Sequence, residues 1–201
     1  MTAPPEVSDP PVAADDAAVI KESVREPERF AVLYDRYVEE IYRYLAARLG
    51  PEAADDLTAE TFLTAFRKRH TFDPARGGVR PWLYGIATNV AAQHRRGLSR
   101  MFAAFRRAPA AERSEAGPEE RVPTRLDAAG ARGPLAAALA ALPAGDRDVL
   151  LLVAVAGLSY EEVAASLGIP YGTVGSRLHR ARKKVRKALG EVNPVIGDID
   201  G

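Results

Sequence analysis

The sequence predicts an all-α protein made of two small helical domains joined by a flexible linker. Apolar residues recur every three or four positions over about 30–96 and again over 135–189, and no stretch of useful length alternates as a strand would. Between them the periodicity fades, and Ala, Arg, Glu, Pro and Gly dominate. We therefore expect one domain over residues 27–96, a linker over 97–134 and a second domain over 135–190. Met101, Phe102 and Phe105 either extend the first domain's last helix or pack against that domain.

Both ends of the chain are acidic. Residues 1–26 begin with Pro, Ala and acids, which bury little apolar surface, so we expect a disordered N-terminal tail; residues 191–201 form an acidic C-terminal tail. The N-terminus lacks the pattern of a secretion signal, and no apolar run approaches the roughly 18 residues of a transmembrane helix. Because cysteine is also absent, we expect a cytoplasmic protein without membrane insertion.

Three helices account for the first domain. Helical spacing over Phe30–Leu45 marks the first, and Gly50-Pro51 ends it and opens the second, since Pro suits a first helical turn. The second helix runs to about His70. A loop rich in Pro and Gly follows over Phe72–Gly78, and the third helix covers about Arg80–Arg96.

The second helix has an apolar residue on its polar side. The residues that we expect to face the core are Ala59, Phe62, Leu63 and Phe66. Leu57 then lies nearly opposite them, among polar residues. Such a residue usually has no function, but it could anchor a partner protein.

The third helix combines a core side with a polar and aromatic side. Leu83, Ile86 and Val90 are expected to face the core. Aromatic side chains stack on unstacked bases and Arg neutralises phosphate, so the other side suits single-stranded nucleic acid. Trp82, at the edge of this side, and Tyr84 also fit as core or boundary residues, and for Trp82 we favour that interpretation. The candidate contacts are Trp82, Tyr84, Thr88, Asn89, Arg95 and Arg96.

Residues 158–178 carry the pattern of a helix-turn-helix. Ser159 and Glu162 have the spacing of a capping box, and Gly168 suits the left-handed residue that ends a helix. In the second of its two helices one buried stripe is expected from Val174, Leu178, Ala181, Val185 and Leu189.

Positive charge is concentrated on that second helix. The net charge of the chain is only +1, yet seven cations and no acid lie between Tyr171 and Gly190. Opposite the buried stripe, Ser, His and Arg can bond base edges in the major groove, and Lys can meet phosphates. We expect base or near-base contacts from Ser176, Arg177, His179 and Arg180, beside Thr173, and phosphate contacts from Lys183, Lys184 and Lys187.

Three motifs in this order resemble the extracytoplasmic-function (ECF) group of bacterial sigma-70 factors: Asp56–Phe62, Trp82–Asn89 and Leu139–Leu189. The resemblance implies two helical domains, sigma-2 and sigma-4, with no sigma-3 between them. It also implies that sigma-2 docks on the clamp of core RNA polymerase. The residues implied in docking are Asp56, Leu57, Glu60 and Thr61.

The resemblance further implies how promoter DNA is bound. The loop Phe72–Arg80, including Arg80 itself, and the third helix, notably Asn89, would recognise and melt the −10 element, where a base is flipped from the stack. The helix-turn-helix would recognise the −35 element as duplex. Gln93 and Gly175 depart from the common family pattern. An anti-sigma factor is a further expected partner, and no catalytic residue, metal or cofactor is expected, because polymerase makes the bonds.

Two other functions remain as alternatives. A dimeric helix-turn-helix regulator would explain Leu139–Leu189, but it leaves Asp56–Phe62 and Trp82–Asn89 unexplained. An enzyme would need a site such as Asp56 and Glu60, which share a helix face. However, the histidines are scattered, cysteine is absent, and no nucleophile or phosphate-loop motif occurs, so we expect no enzyme.

Overall fold

The computed structural model describes residues 12–107 and 133–189, and every regular element in these two ranges is a helix. The N-terminal bundle consists of α1 (Val12–Ser23), α2 (Ala31–Leu49), α3 (Pro51–Lys68) and α4 (Val79–Arg107). The C-terminal bundle consists of α5 (Pro134–Ala140), α6 (Ala144–Ala154), α7 (Tyr160–Leu167) and α8 (Tyr171–Leu189). Short 3-10 turns lie at Pro27–Phe30, Arg69–Thr71 and Pro74–Arg76. The predicted all-α architecture is confirmed. Within the described ranges, none of the helices has the length and apolar character needed to cross a membrane.

The N-terminal bundle packs α2, α3 and α4 around one core. Leu33, Ile41 and Leu45 of α2 and Leu83 of α4 are fully buried. Gly50 separates α2 from α3 with a φ of 94°, a conformation that glycine adopts without the steric penalty of a Cβ. The helix starts and stops that the sequence predicts around this position are therefore confirmed.

Helix α1 corrects the prediction of a disordered tail over residues 1–26. Val19 and Ile20 are buried in the core, and the Asp16 carboxylate is buried where Arg36 and Tyr37 of α2 bind it. The composition of the segment could not reveal this helix, because the partners that stabilise it belong to α2. Residues 1–11 lie outside the described residues.

Helix α4 is longer than predicted. It continues past Arg96 to Arg107, so the first part of the predicted linker is helical and extends the third helix. The rest of that linker, 108–132, and the predicted acidic tail, 191–201, lie outside the described residues.

Local sequence signals determine the ends of the helices in the C-terminal bundle. The Ser159 hydroxyl accepts from the Glu162 N–H at 3.2 Å, while the Glu162 carboxylate accepts from the Ser159 N–H at 2.8 Å. Gly168 ends α7 with a left-handed φ of 61°. The predicted stripe on α8 is buried at Val174, Leu178, Ala181 and Val185. Both the capping box and the stripe are thus confirmed.

The two bundles pack against each other, which the sequence does not predict. Helix α7 lies on α4, and α6 contacts α2. One continuous apolar core runs from Leu33 of α2 through Ala87 of α4 to Val163 and Val174 of α7 and α8.

Candidate nucleic-acid interface

The exposed face of α8 is basic. Ser176, His179, Lys183 and Lys187 are exposed on the side opposite the buried stripe, and Lys184 is exposed next to it. No carboxylate occurs on this helix to neutralise them. The face therefore carries the positive charge and the hydrogen-bond donors that a major groove and its flanking phosphates require.

Two arginines of α8 contact the start of α6. The Arg180 guanidinium donates to the Asp146 carboxylate at 3.0 Å, although half of the Arg180 side chain stays exposed. Arg177 is half-buried, and a Cβ placed on Gly145 would lie only 2.8 Å from its Nη1. Arg180 is thus oriented at the protein surface. The side chains of Arg177 and Thr173 are less accessible to DNA than the sequence predicts, because both residues are half-buried.

The candidate residues on α4 divide into buried and accessible ones. Tyr84 and Thr88 are 1% and 4% exposed, so their predicted contact with single-stranded DNA is wrong. The Thr88 hydroxyl lies 2.7 Å from that of Tyr44, and the Tyr84 ring packs edge-on against the Tyr44 ring. Burial, together with the nearby Glu40 carboxylate, raises the pKa of Tyr84. Helix α2 covers this side of α4, which sequence periodicity alone does not show.

Asn89 is exposed in a cleft of about 310 Å³ that lies between α4, the loop that precedes it and the end of α7. Trp82, half-buried, lines the cleft and packs edge-on against Phe72 with ring centroids 5.4 Å apart. Lys68 and Arg76 add positive charge to the rim. Sequence reasoning did not single out these two cations, although Arg76 lies within the Pro- and Gly-rich loop and Lys68 lies shortly before it.

Arg80, Arg95 and Arg96 are placed differently from one another. Arg80 forms an ion pair with Glu40 at 2.9 Å and also donates to the carbonyl of Ala156 in the C-terminal bundle. Arg96 is exposed and Arg95 half-buried, and both line a second cleft of about 520 Å³ between the two bundles.

The candidate docking face on α3 is rotated from the predicted one. Leu57 and Thr61 are 3% and 0% exposed, so neither can contact a partner directly, and that prediction is wrong. The Thr61 hydroxyl donates to the Leu57 carbonyl at 2.7 Å, which satisfies its polar group inside the core. Ala54 and Ala65 complete the buried stripe. Of the apolar residues expected inside, Phe62 is buried as predicted, but Leu57, Thr58 and Thr61 are also buried in this stripe.

The exposed face of α3 therefore consists of other residues. Asp56 and Glu60 are exposed as predicted, and Ala59 and Leu63, which were expected in the core, are exposed beside them. Leu63 is 48% exposed and is the large apolar residue of this face.

Two family models match the two bundles. A model described as Sigma-70 region 2 matches residues 33–101, and one described as Sigma-70, region 4 matches residues 132–185. The second match includes the capping box and the basic helix α8 as far as Val185.

Curated relatives of this chain are named as RNA polymerase sigma factors. The ECF RNA polymerase sigma factor SigL of Mycobacterium tuberculosis is 34% identical over 161 residues, which cover 80% of this chain and 88% of that protein. The ECF RNA polymerase sigma factor SigE of Mycolicibacterium smegmatis is 38% identical over 167 residues, 79% of this chain and 61% of that protein. The RNA polymerase sigma factor CarQ of Myxococcus xanthus is 32% identical over 166 residues, which cover 82% of this chain and 91% of that protein.

Solved structures agree on the fold. CnrH, solved in complex with the cytosolic domain of CnrY, matches with a TM-score of 0.62 at 25% identity, over 89% of this chain and 99% of that one. The sigma factor RpoE of Bartonella quintana, in complex with the anti-sigma factor NepR, has a similar fold, with a TM-score of 0.59 at 24% identity over 82% of this chain and 98% of that one. The chain therefore belongs to the extracytoplasmic-function group of sigma-70 RNA polymerase sigma factors, with its N-terminal bundle as region 2 and its C-terminal bundle as region 4.

Proposed function

We propose that this sigma factor binds core RNA polymerase and directs it to promoters through two separate DNA contacts. The C-terminal bundle recognises the −35 element as duplex, and the N-terminal bundle recognises the −10 element as melted strand. The observation that carries this proposal is the basic, acid-free exposed face of α8, found in a chain whose two bundles match regions 2 and 4.

The −35 contact uses α8 in the major groove. Its N-terminal half presents Ser176, His179 and Arg180, which can bond base edges. Lys183 and Lys187 follow one and two turns later and are suited to phosphates. Binding by these lysines releases counterions, so affinity should fall as salt rises.

The −10 contact uses the cleft beside Asn89. A single unstacked base fits a cleft of about 310 Å³, where the Asn89 amide can bond its edge and Trp82 can contact its face. Lys68 and Arg76 lie where they can neutralise the phosphates on either side of that base. Binding of the flipped base offsets the free energy that unstacking costs, which favours melting.

Polymerase docking uses the exposed face of α3. Asp56 and Glu60 supply charge, and Leu63 supplies the apolar anchor that the sequence had assigned to Leu57. Polymerase would hold both bundles on one promoter and so raise the effective concentration of each weak DNA contact. The chain contributes binding and orientation, and polymerase carries out catalysis. An anti-sigma factor that covers the docking faces is the further partner that we propose; RpoE of Bartonella quintana, which has a similar fold, was solved in complex with the anti-sigma factor NepR.

Run-off transcription with sigma-free core polymerase tests this function. The template is the DNA upstream of the protein's own gene, and co-elution with core polymerase is measured in parallel. Discrete transcripts that require this protein are the expected result. Absence of both transcripts and co-elution, together with dimeric binding to palindromic DNA, would instead identify a helix-turn-helix regulator.

A further inference from the structure

The second cleft, which lies between the two bundles, is lined mainly by positive charge. Its volume of about 520 Å³ is within the range of cavities that bind small ligands. One carboxylate lines it, that of Asp148, together with the guanidinium groups of Arg48, Arg95, Arg96 and Arg100. Since arginine stays protonated in proteins, the cleft carries positive charge that its own residues do not neutralise.

The carboxylate of this cleft is already paired. Arg48, with 3% of its surface exposed, forms an ion pair with Asp148 and donates to the Tyr44 hydroxyl at 3.1 Å. The Arg48 Nε is also buried, and among the described residues it has no hydrogen-bond partner. A buried N–H without an acceptor is costly, and an anion in the cleft could supply that acceptor.

The three arginines on α4 lie along one side of that helix. Arg96 and Arg100 are about one turn apart and exposed, and Arg95 is half-buried beside them. Within residues 12–107 and 133–189, none of the three forms an ion pair with a carboxylate. The Arg100 Nε donates only to the Arg96 carbonyl, at 3.4 Å. Their guanidinium groups are therefore available to an oxyanion, which arginine can bind through two parallel hydrogen bonds.

The opposite wall of the cleft is the beginning of α6. Ala144, the first residue of this 11-residue helix, is exposed and lines the cleft. Pro143 precedes it and makes no side-chain cap hydrogen bond, so no capping side chain satisfies the first N–H groups. The acidic residue of the first turn, Asp146, is buried in an ion pair with Arg180. Because a helix N-terminus attracts anions, this helix end and the arginines favour the same kind of ligand.

The positive charge around the cleft is strong enough to affect a neighbouring group. Arg147 is buried on α6, next to Asp148 in sequence. Burial, followed by the positive charges of Arg95 and Arg48, lowers the pKa of Arg147, although Asp148 acts in the opposite direction. A bound anion would reduce this repulsion between like charges.

We propose that the cleft binds a small anion with two phosphate groups. Arg95, Arg96 and Arg100 hold one phosphate, and the first N–H groups of α6 hold the other. A phosphate carries more charge and more acceptor oxygens than a carboxylate, so it matches several guanidinium groups at once. Two phosphates match the cleft better than one because the arginines and the helix end lie on opposite walls. This site does not depend on the proposed function.

Promoter DNA is the other phosphate-bearing molecule that could approach these arginines. A cleft of about 520 Å³ has room for a small molecule, whereas the major groove of a duplex is alone about 12 Å wide. The wall formed by Ala144 and Asp148 further limits access to the α4 arginines from that side. The geometry therefore favours a small anion.

Calorimetric titration of the full-length chain with inorganic pyrophosphate at physiological salt tests the site. Salt screens exposed charges more than charges in a cleft, so this condition suppresses binding to the basic face of α8. The expected result is saturable binding that shifts the amide NMR signals of Ala144 and Gly145, while sulfate binds much more weakly. Lack of saturation at millimolar pyrophosphate, or equal binding of sulfate, would overturn the proposal.

The double variant Arg96→Gln, Arg100→Gln has a matched control in Lys183→Gln, Lys187→Gln. Each removes two exposed positive charges from one helix, but the lysines lie outside the cleft. The arginine variant should weaken pyrophosphate binding about tenfold or more, because it removes charge-assisted hydrogen bonds. The lysine variant should leave this affinity unchanged. Equal losses would indicate a general effect of charge and would overturn the proposal.

Ala144→Glu tests the contribution of the helix end without removing an arginine. A carboxylate in the first turn of a helix stabilises that helix, whereas it would repel an anion in the cleft. This variant should therefore lose pyrophosphate binding and keep its thermal stability. Retained binding would contradict the role of α6.

A nucleoside diphosphate distinguishes two sources of the phosphate groups. Tighter binding than that of pyrophosphate would support the site and identify a nucleotide as its ligand, and equal or weaker binding would support an inorganic diphosphate. Binding of a promoter fragment is measured with the same variants. If the double variant Arg96→Gln, Arg100→Gln lost affinity for the fragment but not for pyrophosphate, these arginines would belong to a DNA surface, which would overturn the proposal.

Discussion

Arg180 on α8 and Asp146 at the start of α6 form an ion pair, with Nη2 and Oδ1 3.0 Å apart. The carboxylate is almost completely buried, whereas half of the Arg180 side chain is exposed. Asp146 therefore orients a guanidinium that retains further N–H donors for a base in the major groove.

Arg180→Ala should weaken −35 binding by about 1–3 kcal/mol and relax the sequence preference at one position. Lys187→Ala should instead weaken binding about equally for all sequences and reduce the slope of the salt dependence by about one, because a phosphate contact carries no sequence information. Affinities of the holoenzyme for −35 duplex variants at several salt concentrations distinguish the two. A uniform loss for Arg180→Ala would contradict its assignment to a base.

Asn89 and Thr88 are neighbours in sequence with different expected roles. Asn89→Ala should abolish selective binding of the −10 strand and leave the free energy of unfolding nearly unchanged, because the side chain is exposed. Thr88→Val should lower the free energy of unfolding by about 1 kcal/mol, because it removes the hydrogen bond with Tyr44. Denaturant unfolding and strand binding are measured for both variants. A large loss of stability for Asn89→Ala would place that residue in the core instead.

Leu63 and Leu57 give a similar contrast on α3. Leu63→Ala should weaken co-elution with core polymerase without loss of stability, since Leu63 is half exposed. Leu57→Ala should lower the free energy of unfolding by about 2–5 kcal/mol, as is usual for a leucine removed from a core. If Leu63→Ala left polymerase binding intact, the docking face would have to lie elsewhere.

Arg147 is a buried charge with few partners. Its Nε has no hydrogen-bond partner, and one Nη2 contact to the Leu142 carbonyl measures 3.3 Å. Burial, with the nearby positive charges of Arg95 and Arg48, lowers its pKa to about 10. The folded chain therefore holds this proton more weakly than the unfolded chain, and the charge destabilises the fold at any pH below about 10.

Arg147→Met should accordingly raise the free energy of unfolding at neutral pH by about 1 kcal/mol or more. Arg48→Met should have the opposite effect. It removes the guanidinium that contacts Asp148 and Tyr44, so it should lower the free energy of unfolding. Thermal unfolding of both variants provides the comparison. A destabilised Arg147→Met would show that the weak contact to Leu142 matters more than the buried charge.

The sequence by itself determined the features that depend on neighbouring residues. The capping box of Ser159 and Glu162 and the left-handed Gly168 need only one or two turns of helix to form, and the stripe from Val174 to Val185 follows from regular helical spacing over about three turns. The basic face of α8 follows from the same helical spacing. These features could be predicted because short-range geometry fixes them.

The tertiary structure decided which faces of α3 and α4 remained accessible. Tyr84 and Thr88 are buried where Tyr44 of α2 contacts them, whereas Leu57 lies in the buried stripe of α3 and Leu63 lies outside it. Helical periodicity identifies the sides of a helix, but it does not identify which neighbour covers each side.

The position of α7 on α4 was also decided by the tertiary structure. Gly85 lies in an apolar segment and Gly97 in a basic one, but only the folded chain shows that a Cβ at Gly85 would lie 2.5 Å from the Ser166 carbonyl oxygen, while nothing lies within 4 Å of a Cβ at Gly97. That difference arises from a contact between residues about eighty positions apart. Sequence spacing sets local helical geometry, whereas such contacts depend on the shapes and charges of two surfaces that meet only in the folded chain.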